Sequence, residues 1–205
     1  MRPEDLIGAV LRGAVGGRGK RSRGASRFLT GGRGSLINAG TLLTAAGLAW
    51  GAYEAATRKD ETSAPPAGAP PPLPPLPPSP GLPADALRLV RLAIAAARAD
   101  GRLTDPERAS ILEQARTVGA EAVVEQEIRT PRPLAEIVAG VGDSNTRGQL
   151  YVLAFTVVRA DEGVTGAERI FLAQLAHALG LDPATTAGLE LDAARRIDAA
   201  AAEEA

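Results

Sequence analysis

Cysteine is missing altogether from this 205-residue chain, and histidine occurs once. A disulfide framework, a zinc–thiolate site, an iron–sulfur cluster and a cysteine nucleophile are therefore excluded, and a multi-histidine metal site has no ligands to draw on. Any metal held here must be a hard ion bound through oxygen. Aromatic residues are scarce, six in all, and the 45 % apolar content comes largely from alanine, leucine and valine. That composition suits helices better than sheets. Charge of one sign is lacking only in the sum: the formal net is −1, but residues 1–62 hold ten Lys/Arg against five Asp/Glu, and residues 63–205 hold thirteen against nineteen.

The chain divides into four pieces. Residues 1–34 are basic and glycine-rich. Leu6, Ile7, Val10, Leu11 and Ala14 fall at helical spacing, which predicts a short amphipathic helix. The following stretch carries Arg18, Lys20, Arg21, Arg23, Arg27 and Arg33 with no acid, and its glycines argue against a stable fold.

Residues 35–56 open with nineteen uncharged residues, Ser35 to Tyr53. A helix of that length just spans a hydrocarbon core of about 30 Å. Trp50 and Tyr53 lie near one end, as interfacial aromatics do. Gly47 and Gly51 form a small-xxx-small pair through which two such helices would approach closely and make a homo-oligomer. A membrane anchor is the preferred reading; a buried or surface-lying hairpin is the alternative. A cleaved signal is disfavoured by the length of the basic segment before it. The excess of Lys/Arg on the amino-terminal side predicts a single-pass protein of the bacterial inner membrane, its N-terminus cytoplasmic and its C-terminal domain periplasmic. The alternative places that domain in the cytoplasm.

Residues 57–83 form a linker that includes eleven of the sixteen prolines. Polyproline II geometry makes it a spacer, with PxxP groove binding as the minor reading.

Residues 84–202 read as an all-α domain. Periodicity and caps predict helices over 84–99, 105–118, 120–128, 134–141, 146–160 and 167–179, then a last helix that begins at Asp182-Pro183 and frays in the alanine-rich tail. Arg88, Arg91, Arg98 and Arg102 on the first of these are expected to be a solvated basic face.

An internal repeat carries the main signal. RADGRLTDPER at 98–108 is echoed by RADEGVTGAER at 159–169, an offset of 61 residues, which predicts two related helix–turn–helix units around one core. Thr104 with Glu107, and Thr165 with Glu168, are T-x-x-E capping boxes. Capping leaves Asp100 and Asp161 unexplained, since each follows a helix C-terminus, where the macrodipole disfavours negative charge. An Asx-turn, a neighbouring arginine or a divalent cation would compensate. Neither copy has the order of an EF-hand loop, so capping and a metal site both stay open.

These residues resemble the TerB-like family of tellurite-resistance proteins. AAARADGRLTDPE, PLAEIVAG and the long run from LYVLAFTVVRADEGVTGAE to LGLDP carry the resemblance, together with the uncharged segment GSLINAGTLLTAAGLAWGAYEA. The order of the pieces resembles the membrane-anchored YebE-type inner-membrane branch, over residues 35–56 and 85–192. The resemblance implies a compact multi-helix domain, a link to stress or tellurite resistance, and a metal-binding role for the acidic positions, here Asp100, Glu107, Asp161 and Glu168. Glu162 stands where the first copy has Gly101, so the two loops are not strictly equivalent. The J-domain motif of related co-chaperones is absent.

The remaining candidates are bland. His177 near a helix C-terminus is a normal stabilising choice. The glycine-rich basic stretch fails the phosphate-loop order, and no nucleophile elbow is present. The basic segment fits anionic lipid better than nucleic acid. The sequence thus points to a membrane-anchored, non-enzymatic interaction or metal-responsive module. The alternatives are a structural membrane scaffold without metal and a carboxylate- or metal-dependent hydrolase.

Overall fold

The computed structural model describes residues 3–15, 20–30, 83–101, 103–160 and 164–202, and every element among them is an α-helix. The helices are α1 (Pro3–Ala14), α2 (Lys20–Thr30), α3 (Ala84–Ala97), α4 (Asp105–Thr117), α5 (Glu121–Arg129), α6 (Leu134–Ile137), α7 (Ser144–Arg159), α8 (Gly166–Leu179) and α9 (Pro183–Ala202). The uncharged segment with Gly47 and Gly51, the proline-rich linker up to residue 82, Arg102, Asp161 and Glu162 lie outside the described residues. Among the described residues no helix is long and apolar enough to cross a membrane.

Most helix ends follow from local chemistry and fall within about two residues of those expected, the usual scatter of such boundaries. The short α6 is the exception, stopping at Ile137 rather than running to Val141. Beyond it the amides of Ala139 and Val141 reach back only three residues, and Gly140 takes φ +76°, so the chain turns instead of continuing.

α7 is the central helix. Every residue from Leu150 to Val158 is buried, which is why its pattern shows no amphipathic period and reads locally as strand or helix alike. Packing around it decides the matter: α3, α8, α9 and α2 all contact it. The buried Thr156 hydroxyl donates to the Val152 carbonyl at 2.7 Å, so this donor is not left unpaired in the core.

The repeat is larger than a helix–turn–helix. At the same offset of 61 residues, α3–α4–α5 corresponds to α7–α8–α9. The second turn of each unit is built identically. Gly119 and Gly180 take φ +71° and +65°. The following amides, Ala120 and Leu181, each donate at 2.9 Å to the equivalent carbonyls of Ala115 and Ala176. The glycine amides donate at 3.0 Å to Arg116 and His177. This is the Schellman arrangement, which needs a left-handed residue and so favours glycine. The domain therefore contains two related three-helix units whose first helices, α3 and α7, pack on each other.

Two expectations for the ends of the chain are corrected. The basic glycine-rich segment does fold over its described residues: α1 lies across α3 and α4, and α2 lies across α7 and α9. Leu6, Ile7, Val10 and Leu11 are each at most 1 % exposed. Gly24, one of the glycines that argued against a fold, and Gly13 of α1 are what permit this approach. A Cβ on Gly13 would come within 2.5 Å of the Ile111 Cα, and one on Gly24 within 2.5 Å of the Ile197 carbonyl oxygen. The alanine-rich tail does not fray at once either. α9 runs to Ala202, with Ala193 and Ile197 buried, because α2 covers it.

Candidate functional site

The two repeat loops, 98–104 and 159–165, join the first and second helices of each unit; they contain Asp100 and Asp161, while Glu107 and Glu168 sit in the first turns of α4 and α8. Both glutamates are engaged in capping. Glu107 Oε2 accepts from the Thr104 amide at 2.8 Å while Thr104 Oγ1 accepts from the Glu107 amide at 3.4 Å. In the second copy Glu168 Oε2 accepts from the Thr165 amide at 2.6 Å, and Thr165 Oγ1 from the Glu168 amide at 3.3 Å. The reciprocal pair satisfies two of the amides that every helix N-terminus leaves open. Glu168 is buried at 8 % exposure, whereas Glu107 is half-buried.

Asp100 is different. It is exposed, it follows the C-terminus of α3, and no described side chain bonds to it. Gly101 beside it takes φ +135°, and its amide donates to the Arg98 carbonyl at 2.9 Å. Among the described residues no three acidic or histidine side chains gather closely enough to hold a metal ion. Asp100, Glu107 and Glu168 thus form no such group, and Asp161 lies outside the described residues. His177 is exposed on α8.

The family emerges from how much of this chain shares one pattern. The pattern described as "Protein of unknown function (DUF533)" matches residues 4–193. The chain belongs to the DUF533 family. That family is related to the TerB-like proteins. No curated protein and no solved structure matches the chain. The match begins within α1 and ends within α9, so the docked amino-terminal helices fall inside the family's span.

In this DUF533 chain the arginines of α3 do work that sequence reasoning missed. Arg88, Arg91 and Arg98 are not a solvated face but a clamp on α5 and α6, while Arg102 lies outside the described residues. Arg91 Nε and Nη2 each donate at 2.8 Å to the two oxygens of Glu127, a bidentate pair with 24 % and 12 % of the side chains exposed. The bond to Glu127 pushes the Arg91 pKa further up, so this cation is permanent. Arg98 Nη1 donates at 3.1 Å to the Ile128 carbonyl at the end of α5. Arg88 Nε and Nη2 reach the carbonyls of Ile137, the last residue of α6, and of Ala139 just past it, at 3.0 and 3.2 Å. Helix C-termini leave their last carbonyls unpaired, and a guanidinium fork satisfies them. The sequence signal was faint: short helices ending beside TPRP need donors from elsewhere, and the arginines of α3 are the nearest supply.

The equivalent arginine of the second unit, Arg159, likewise reaches the third helix of its unit, donating to both Asp198 oxygens on α9 at 3.4–3.5 Å. A second tie runs from Tyr151 on α7 to Glu190 on α9 at 2.5 Å. Burial, and then the Glu190 carboxylate, push the Tyr151 phenol well above its ordinary pKa, so it stays a neutral donor. Between α3 and the α5–α6 connection a cleft of about 20 Å³ is lined by Arg91, Ile94, Arg98, Glu127, Pro131 and Ile137. It has room for about one water molecule, far below the roughly 300 Å³ at which ligand pockets begin.

Proposed function

We propose that this protein is a membrane-associated, non-enzymatic interaction module of the YebE-type inner-membrane branch, linked to stress or tellurite resistance. The observation that carries the reading is that the repeat's threonines and glutamates cap helices within the fold, and its arginines tie helix to helix. The most repeated chemistry in the chain thereby serves to hold a rigid helical body. Residues 35–56 supply the attachment to lipid, and Gly47 and Gly51 a contact for self-association. Of the two placements open to the helical body, the cytoplasmic one is supported by the packing of α1 and the basic α2 onto it. The test is flotation of the full chain with vesicles containing phosphatidylglycerol. Binding that disappears when residues 35–56 are deleted is expected; binding that survives the deletion refutes the attachment.

A divalent cation held by the repeat carboxylates Asp100, Glu107, Asp161 and Glu168 is the second reading. The exposed Asp100 past the C-terminus of α3, without a compensating side chain among the described residues, favours it. Because the glutamates each commit one oxygen to a cap, Asp100 and Asp161 would carry the ion.

A further inference from the structure

The hydrophobic segment lies between two parts of the chain that are packed together. α1 and α2 precede it, α3–α9 follow it, and the contact between them belongs to the core rather than to the surface. Val10 and Leu6 on α1, Leu29 on α2, Val90 on α3, Ile111 on α4 and Ile197 on α9 are all completely buried. The crossings are close enough that Gly13 and Gly24 have no room for a side chain. At the edge of the α1–α4 crossing, Arg12 Nε donates to Gln114 Oε1 at 3.3 Å.

We infer that the amino-terminal helices dock on the helical body of their own chain, so that both flanks of residues 31–82 stand on the same side of the membrane and the uncharged stretch meets the bilayer from one face only. This deepens the membrane reading and replaces a single crossing. One crossing by Ser35–Tyr53 would put α1 and α2 on the opposite side of the bilayer from their seats. A second crossing would need another run of about twenty apolar residues. None is there: after Tyr53 come Glu54, Arg58, Lys59, Asp60 and Glu61, then eleven prolines before residue 84. The nineteen uncharged residues as one helix measure roughly 28 Å, enough for one passage and no return. A chain that must re-enter the same folded body therefore leaves and comes back through one leaflet.

Two measurements on the full-length protein in membranes decide this, and the natural absence of cysteine makes both clean. In the first, Asp5→Cys and Asp192→Cys, at exposed positions on α1 and α9, are labelled singly with a membrane-impermeant maleimide in right-side-out and inverted vesicles. Both are expected to react from the same face; reaction from opposite faces overturns the inference. In the second, Arg12→Cys with Gln114→Cys is treated with a short bis-maleimide. A cross-link within one chain is expected. A cross-link between two chains, or none while the doubly substituted protein keeps its thermal midpoint, overturns it. The cross-link reports docking whether or not the protein sediments with membranes, so a failure of the membrane reading is seen separately in the flotation and does not masquerade as a failure of docking.

Discussion

Glu107 and Glu168 hold the same place in the two repeat copies, yet one is half-exposed and the other nearly sealed. Replacing the capping threonines, Thr104→Ala and Thr165→Ala, is expected to lower stability by about 1 kcal/mol each. Glu168→Ala should cost more than Glu107→Ala, because the bond it removes from the Thr165 amide is part-buried whereas that to the Thr104 amide is exposed. Urea unfolding of the four variants checks both statements, and equal losses for the two glutamates would show that burial of the second box is immaterial. Capping was legible in the sequence because T-x-x-E is a local pattern with one geometric meaning. The clamp by Arg88, Arg91 and Arg98 was not, because its partners lie 30 to 51 residues away and two of the three arginines bond to backbone carbonyls, which have no sequence signature. The metal reading belongs to this scale too. If Asp100 and Asp161 carry an ion, a divalent cation raises the melting temperature of the native chain, and Asp100→Asn with Asp161→Asn abolishes the rise. A rise that persists in the double variant rules these ligands out.

The helices themselves were largely readable from periodicity, caps and breakers, and the reason shows in their ends. Asp143 accepts from the Thr146 amide at 2.7 Å at the start of α7, and Asp182 accepts from the Thr185 amide and hydroxyl at 2.9 and 2.6 Å at the start of α9. These bonds hold both carboxyls below their ordinary pKa, the Thr146 amide being the main cause for Asp143 and the Thr185 hydroxyl for Asp182. A carboxylate whose folded pKa is depressed contributes stability that is complete above its unfolded pKa and is lost as pH falls through the folded value. Stability should therefore decline below about pH 4 as these caps protonate. The double variant Asp143→Asn, Asp182→Asn keeps both caps as neutral acceptors, so its melting temperature should fall less steeply with acid. An unchanged slope would assign the acid sensitivity to other carboxylates. What periodicity could not supply was the partner of each apolar stripe. The stripe of α1 was visible at Leu6, Ile7, Val10 and Leu11, but nothing local says that it meets Ile111, a hundred residues on. Among the described side chains of α2 the buried set is Gly24, Ala25, Phe28 and Leu29 amid arginines, too thin to separate from a solvated basic segment.

At the scale of the molecule the two three-helix units present a pair of apolar seats, and the amino-terminal helices fill them: α1 on the first unit, α2 on the second. Each large apolar side chain buried in this way contributes roughly 1.5–3 kcal/mol before the cost of ordering the helix is subtracted. Ile111 lies against Gly13 of α1 and Ile197 against Gly24 of α2, so the α3–α9 body is expected to depend on those two helices as cover. A fragment spanning 83–205 is expected to lose at least about 3 kcal/mol of stability, the worth of one or two such side chains, and to bind a hydrophobic dye that the full chain ignores. A synthetic peptide of residues 1–30 added to the fragment should displace the dye and recover the midpoint. The same peptide carrying Gly13→Leu and Gly24→Leu should not, since the added side chains would meet backbone at both crossings, where nothing flexible can give way. A fragment that is dye-silent and as stable as the full chain would mean that the units close without their amino-terminal helices, and the burial of Ile111 and Ile197 would then have to be achieved by rearrangement within the units themselves.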